Sequence, residues 1–313
     1  MSDFVIIPDA SSDLTKELRE RFNIPDYIRG TLYHPDGRAA VADLDWEQID
    51  PVTYYTSMSG RKMLYKTASA QRGDIIAAYE KQLKAGKDIL SLTLSSGLSG
   101  TYQICKGVAE ELMEQYPERK ILVIDSLRYS TALSLLVIKA SLKQQEGATL
   151  EETAEYIMNI RHTIHQMGPM DDMFFLVKTG RVSNFKAIFG TLVGINPMAD
   201  FNRKGMSQVL GKFKGKKRAF DAVIEYMRGT VIEPEKQIVF VAHSNREQAA
   251  QALAQRVQEE FSPKEIIINH VGMACGASIG PGLCAVFYEG REISENMEQE
   301  QALMNQIILK QKN

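Results

Sequence analysis

Ser95, Ser96, Gly97, Ser99, Gly100 and Thr101 crowd one bend of the stretch "ILSLTLSSGLSGTYQICKGVAEELME", between an apolar run and a helix-patterned run. One or two glycines suffice for a tight turn. This bend adds hydroxyls at four positions. A helix start leaves free N–H groups and a partial positive charge, and glycines let the main chain approach a ligand closely. Together these make a cradle for a small anion. The alternative is a loop whose serines only cap the helix. There is no lysine-bearing phosphate loop, no G-x-G-x-x-G and no G-x-S-x-G elbow. No nucleophile–base pair is visible either, so a stand-alone hydrolase or kinase is not expected.

The other polar segments fall into register with this one. "DASSD" follows the apolar run "FVIIP", and "DSLRYS" follows "KILVID". In a parallel sheet the segments leaving the strands' carboxyl ends share one rim, where ligands bind. "YKTASAQRGD" adds Thr67, Ser69 and Gln71 ahead of a helix expected near Asp74. "SIGPGLCAVFY" predicts a rigid bend at Gly280-Pro281-Gly282 before an apolar strand. His162 and His165 fall i, i+3 on an expected helix; lacking a carboxylate or cysteine motif, they read as a solvated face rather than a metal site. His34, His243 and His270 stand apart in sequence, and the basic run "KFKGKKRAFD" reads as a solvated edge.

Positioning these segments requires an α/β fold. Ile75, Ile76, Tyr79 and Leu83 recur at helical spacing, as do Ile104, Val108 and Leu112, between runs that read as strands. That rhythm predicts a parallel sheet with crossover helices. "SLLVIKASLKQQEG" and "LEETAEYIMNIRHTIHQM" continue as helices, the second capped by Thr149. "MFFLV" reads as a strand restarting after Gly168-Pro169, and "QIVFVAHS", "EIIINHVG" and "LCAVFYEG" as late strands. The expected domains are 1–168, 169–290 and a terminal helix over 291–313 that packs back on the body. The 313 residues carry a net charge of −2 with dispersed Lys and Arg, which argues against a nucleic-acid surface. No run is long and apolar enough to be an integral membrane segment, and no basic leader is seen. Three cysteines without C-x-x-C spacing fit a cytoplasmic location.

In combination these motifs resemble the DegV family of bacterial fatty-acid-binding proteins, over nearly the whole chain to about Tyr288. The matching residues are "PDASSDL", "KTASAQ", the full Ser95–Tyr102 loop, Asp125-Ser126, Gly180–Ser183 and "SIGPG". The resemblance implies a two-domain fold, an N-terminal parallel sheet with flanking helices plus a second α/β domain. One long-chain fatty acid would be held between the domains, and no other cofactor. Its carboxylate would be bound by Thr67 and Ser99, with Ser96, Gly97, Gly100 and Ser278 nearby. The resemblance also implies a non-catalytic protein that presents the acid to a separate fatty acid kinase, which makes the acyl phosphate that feeds phospholipid metabolism. Three positions depart from the pattern. Ala10 replaces a serine, "TASAQ" replaces T-S-Q-P-S, and Ser278 replaces the histidine before G-P-G that lies near the head group in the family. The stretch "FKAIFGTLVGINPM" would line the acyl slot. The runner-up is a sugar-phosphate enzyme of isomerase type using the same serine-rich loop, and a third reading is a lipid-responsive interaction protein.

Overall fold

A computed structural model of the chain describes residues 3–171, 173–183 and 195–312. The chain divides into two compact units. The first comprises Met1–Asp50, Met63–Arg161 and Gly272–Cys275; the second comprises Pro51–Lys62, His162–Val271 and Gly276–Asn313.

In the first unit, β1 (Phe4–Pro8), β5 (Asp88–Thr93) and β6 (Ile121–Asp125) form a parallel sheet in the order β1-β5-β6. β5 is buried along nearly its whole length, as a central parallel strand covered on both faces must be. The helices α3 (Arg72–Lys84) and α4 (Thr101–Gln115) contribute Ile75, Tyr79, Cys105 and Val108 to a core shared with Ile7 and Ile89. α5 (Thr131–Gln145) and α6 (Leu150–Ile160) follow, and Thr149 closes a reciprocal capping box with Glu152. The parallel sheet, its helices and the Thr149 cap are as the spacing predicts. A second sheet was not expected. β2 (Gly30–Tyr33), β3 (Ala39–Ala42) and β4 (Lys66–Ala68) pair antiparallel in the order β3-β2-β4, after a short α1 (Lys16–Arg21).

The second unit holds α2 (Pro51–Met58) and two further sheets. β11 (Ile238–His243) pairs parallel with β12 (Glu265–His270) and antiparallel with β13 (Cys284–Glu289), which pairs with β7 (Ile164–Met167). β8 (Val182–Ser183), β9 (Ile195–Phe201) and β10 (Ser207–Lys214) make the other sheet. α8 (Lys216–Thr230), α9 (Glu247–Phe261) and α11 (Glu298–Lys310) complete it, α11 lying against β10 and α8. Among the described residues no helix is long and apolar enough to cross a membrane.

Two expectations are corrected. "MFFLV" is not a strand: α7 (Phe174–Thr179) forms there, ended by Gly180 at φ 70°. An apolar run that short carries no period to separate helix from strand. The helix after Thr149 stops at Ile160, so His162 and His165 share no helical face. His165 sits on β7, fully buried. Its Nδ1 is 2.5 Å from Asp200 Oδ2 and its Nε2 2.7 Å from the Arg291 carbonyl. The ring stacks on Tyr288, while Tyr226 donates to the same Asp200 oxygen at 2.8 Å. Both ring nitrogens face acceptors. Among the described residues no group of three metal-ligating side chains exists.

The first expected outcome concerns this pair. His165→Leu takes one donor from the buried Asp200, which keeps the Tyr226 hydroxyl and the Gln166 and Phe201 N–H groups; losing a hydrogen bond to a charged group costs about 1.5–3 kcal/mol. Urea unfolding should show a loss of that order, with no recovery in His165→Leu/Asp200→Leu, which leaves those three buried donors without an acceptor. An unaltered unfolding midpoint in the single variant would refute a structural role for the His165–Asp200 contact.

Candidate functional site

The rim at the carboxyl ends of β1, β5 and β6 brings three of the expected polar segments together. Loops leaving neighbouring strands are tied to one another by side chains. Asp9 Oδ2 accepts the Leu94 N–H at 2.7 Å, and Asp125 Oδ1 accepts those of Ser96 (3.0 Å) and Leu127 (3.1 Å). Ser95 N–H donates to the Arg128 carbonyl at 2.9 Å. Arg128 itself is fully buried, and its Nη1 donates to the Leu127 carbonyl at 2.7 Å. A buried guanidinium was not anticipated from the sequence; its neighbours Asp125 and Ser126 drew the attention there.

The serine-rich loop uses its own donors. Gly97 N–H bonds Ser95 Oγ at 3.2 Å, and the Leu98 and Ser99 N–H groups bond the Ser95 carbonyl at 3.1 and 3.2 Å. Gly100 N–H reaches Ser69 Oγ at 3.2 Å, and Thr101 N–H reaches Ser99 Oγ at 3.3 Å. The main-chain N–H groups from Leu94 to Thr101 are therefore all engaged inside the protein. The next two, Tyr102 and Gln103, have no hydrogen bond among the described residues. They head a 15-residue helix with no acidic residue in its first turn, so its partial positive charge is not offset locally.

The side chains carry the rest of the donor capacity. Ser69 Oγ lies 3.1 Å from Ser99 Oγ, which lies 3.0 Å from Thr101 Oγ1. Three O–H protons serve these two contacts, so one proton is left over whichever way the chain of bonds runs. Thr101 is buried and Ser69 and Ser99 are half-buried. With Thr101 donating inward, the spare proton belongs to Ser69 or Ser99. Ser69 is the partner that reading by spacing did not select as a site residue. It reaches the loop because β4 ends one residue before it.

Of the other candidates, Thr67 lies on β4 opposite Leu32, two residues before Ser69, and makes no hydrogen bond to the loop. The Ser96 hydroxyl is exposed and likewise unbonded among the described residues. Gly100 has φ −76°, open to any residue; a Cβ there would lie 3.4 Å from Ser69 Oγ, so the glycine's contribution is room for that hydroxyl. Ser278 belongs to the second unit, in the last turn of α10 (Met273–Ile279). The bend after it forms as expected, with Gly280 at φ 73° and Gly282 at φ 104°. His243 and His270, far apart in sequence, are register partners on β11 and β12 with ring centroids 4.2 Å apart. Burial pushes His243 down to about 4, aided by His270. The expected slot lining, "FKAIFGTLVGINPM", falls outside the described residues over its first ten positions, 185–194.

Behind the rim, Asp13 is buried at φ 55°. Ser130 Oγ donates to its Oδ2, and Thr131 Oγ1 lies 3.4 Å from the same oxygen. A Cβ on Gly272 would stand 2.6 Å from Asp13 Oδ1, so only glycine permits that approach. Burial pushes the Asp13 carboxyl up to about 7, against the pull of its donors. The native state therefore holds this proton more tightly than the unfolded chain, whose carboxyl titrates near 3.8. The resulting stabilisation is complete below the unfolded value and is lost as pH rises towards 7, by at most about 1.4 kcal/mol per pH unit. Urea midpoints of Asp13→Asn and the parent, compared from about pH 4.5 to 7.5, should diverge in the variant's favour as pH rises. Parallel curves would count against a protonated Asp13.

Comparison with known proteins agrees with this architecture. Residues 3–291 match the family model described as "Uncharacterised protein, DegV family". A DegV domain-containing protein of Clostridium perfringens is 29% identical over 290 residues, covering 93% of this chain and 98% of the relative. The crystal structure of a DegV lipid binding protein from Thermotoga maritima superposes with a TM-score of 0.81 at 25% identity, over 93% of this chain and 99% of that one. The fatty acid kinase B3 protein of Streptococcus pneumoniae, solved loaded with linoleic acid, shares the fold at a TM-score of 0.77 and 23% identity, over 92% and 99% of the two chains. With a family model spanning nearly its full length, this chain belongs to the DegV family.

Proposed function

We propose that this protein binds one long-chain fatty acid, with the carboxylate at the head of α4, and hands it to a separate fatty acid kinase without catalysing a reaction itself. The observation that carries the reading is the hydroxyl chain Ser69–Ser99–Thr101, with its one spare proton beside the unbonded N–H groups of Tyr102 and Gln103. Thr67, Ser96 and Ser99 are the proposed hydroxyl ligands. Gly97 and Gly100 keep the loop free of side chains that would crowd the ligand, Gly100 leaving room for the Ser69 hydroxyl, and Ser278 occupies the motif position of the family's histidine. A carboxylate monoanion suits such a donor set, since hydrogen bonds to a charged group are the stronger kind. A phosphate dianion needs more donors, and the loop's N–H groups are already spent. That weighs against a sugar-phosphate enzyme. The acyl tail would supply most of the affinity, at about 0.8 kcal/mol per buried CH₂. The same reading places the protein in the cytoplasm, where the three free, buried cysteines would stay reduced.

Organic extraction and mass spectrometry of the purified protein should release a fatty acid. A protein that is repeatedly empty and takes up neither palmitate nor oleate would overturn the proposal. Ser99→Ala removes the middle of the hydroxyl chain. A hydrogen bond to a charged group contributes about 1.5–3 kcal/mol, so affinity for a fluorescent fatty acid should fall roughly ten- to a hundredfold. The thermal midpoint should barely move, and Ser278→Ala should change affinity less. Binding by Ser99→Ala equal to that of the parent would reduce the loop to a helix cap.

A further inference from the structure

We infer that Ser69 is a further ligand of the carboxylate, and the residue that makes the clamp prefer an ionised acid to a neutral head group on the same chain. The inference rests on the fatty-acid reading above and adds to it a residue outside the set Thr67, Ser96 and Ser99.

A small latch holds Ser69 in place. The Gly100 N–H donates to Ser69 Oγ at 3.2 Å, and in return the Ala70 N–H donates to Thr101 Oγ1 at 3.2 Å. These reciprocal bonds fasten the end of β4 to the head of α4. Side chains along a strand alternate between its faces, and exposure over 67–69 follows that period: Thr67 and Ser69 are half-buried, and Ala68 is exposed. Thr67 and Ser69 therefore share a face. The pattern T-S-Q-P-S has a hydroxyl at position 68 and none at 69. "TASAQ" moves it to 69, onto the Thr67 face and within reach of Ser99.

Counting lone pairs assigns the spare proton to one atom. A hydroxyl donates one hydrogen bond and accepts two. Ser99 Oγ accepts the Thr101 N–H at 3.3 Å. Thr101 is 4% exposed, and Ser99 Oγ, 3.0 Å away, is the one acceptor its hydroxyl has among the described residues. Donation from the Thr101 hydroxyl fills the last lone pair of Ser99. The 3.1 Å contact between Ser69 and Ser99 must then run from Ser99 to Ser69. Ser69 Oγ accepts from Ser99 and from the Gly100 N–H, which fills both of its lone pairs. Its own proton has no acceptor among the described residues. The opposite direction would leave the Thr101 proton buried without an acceptor, which is the costlier arrangement.

A hydroxyl in that state serves only a group that accepts. Through its bond to Gly100 it stands at the head of α4, where the Tyr102 and Gln103 N–H groups are donors as well. Ser99 can turn its proton to an anion only by giving up Ser69, whereas Ser69 gives up nothing. A hydrogen bond to a charged acceptor is roughly twice as strong as one between neutral groups, so the contribution of Ser69 falls mainly on a carboxylate. An alcohol of the same length gains less from it, and the alcohol's own proton finds no open lone pair on Ser69 or Ser99.

Competition of dodecanoate and 1-dodecanol against a fluorescent fatty acid tests this at about pH 8, where the acid is ionised. The parent should prefer dodecanoate. Ser69→Ala should weaken dodecanoate roughly ten- to a hundredfold and dodecanol by no more than about tenfold, so the preference shrinks by about fivefold or more. Ser69→Cys, with a weakly donating thiol of similar size, should shrink it in the same direction and decides the matter should the alanine variant not fold. An unchanged preference would overturn the inference. If both ligands weaken together, Ser69 only braces the loop; if neither weakens, it does not meet the head group. A parent that binds neither dodecanoate nor palmitate would overturn the fatty-acid reading itself. A parent that prefers dodecanoate, with the preference intact in Ser69→Ala, would overturn only the role of Ser69.

Discussion

The rim of the parallel sheet depends on two carboxylates, the buried Asp9 and the half-buried Asp125, satisfying the main chain of neighbouring loops. Adjacent parallel strands end side by side, and the segments that leave them have no ladder to continue. Their N–H groups must find partners or bear the desolvation cost. Asp9 meets the first of these by holding Leu94, and Asp125 meets the next by holding Ser96 and Leu127. Burial raises the Asp9 carboxyl, and the donors from Leu94 and Ser11 pull it back. Without these contacts the serine-rich loop would have no fixed start and Ser99 no fixed place.

The same requirement shapes what the loop can offer. A cradle of free main-chain N–H groups is the arrangement the sequence suggests, yet the loop consumes those donors to hold itself shut. Binding capacity is displaced outward, onto the hydroxyls and onto the second and third N–H groups of α4. This is a donor set of neutral groups on loops held by two carboxylates, Asp9 and Asp125, with the Arg128 guanidinium buried. Anything anionic that binds there is held by short-range hydrogen bonds more than by net charge.

How far the sequence reveals this depends on the distance over which each signal acts. β1, β5 and β6 are legible because buried parallel strands are near-continuous apolar runs followed by amphipathic helices. The small sheet β3-β2-β4 is not, because "AAVA" and "KTA" are short and partly exposed, with no clear alternation. "MFFLV" misleads because it is uniformly apolar. "NIRHTIHQM" misleads because helical spacing persists by chance across the turn at Arg161–Thr163. Ser99 is legible from its motif and Ser69 from its segment, whereas the bond joining them is not, since it spans thirty positions. His165 is the extreme case: its partners are Asp200 and Arg291, and nothing near it in sequence announces either.

A clamp of neutral hydroxyls has a kinetic consequence for the proposed ligand. A bidentate arginine would hold a carboxylate by charge and fixed geometry, and its loss on release would leave a desolvated cation behind. Hydroxyls can rotate to bond one another when the anion leaves, and the contacts at 3.1 and 3.0 Å among Ser69, Ser99 and Thr101 are that arrangement. The three hydroxyls by themselves are then short by a single acceptor. On the proposed reading, binding would recruit the spare proton and release would return the chain to its own bonds, so neither state would carry a large unsatisfied charge. With the head group's contribution kept small, affinity would be set chiefly by the length of the buried tail, at about 0.8 kcal/mol per CH₂. Discrimination among acids would follow the apolar part of the site, and hand-over would require loosening a few neutral hydrogen bonds rather than breaking an ion pair.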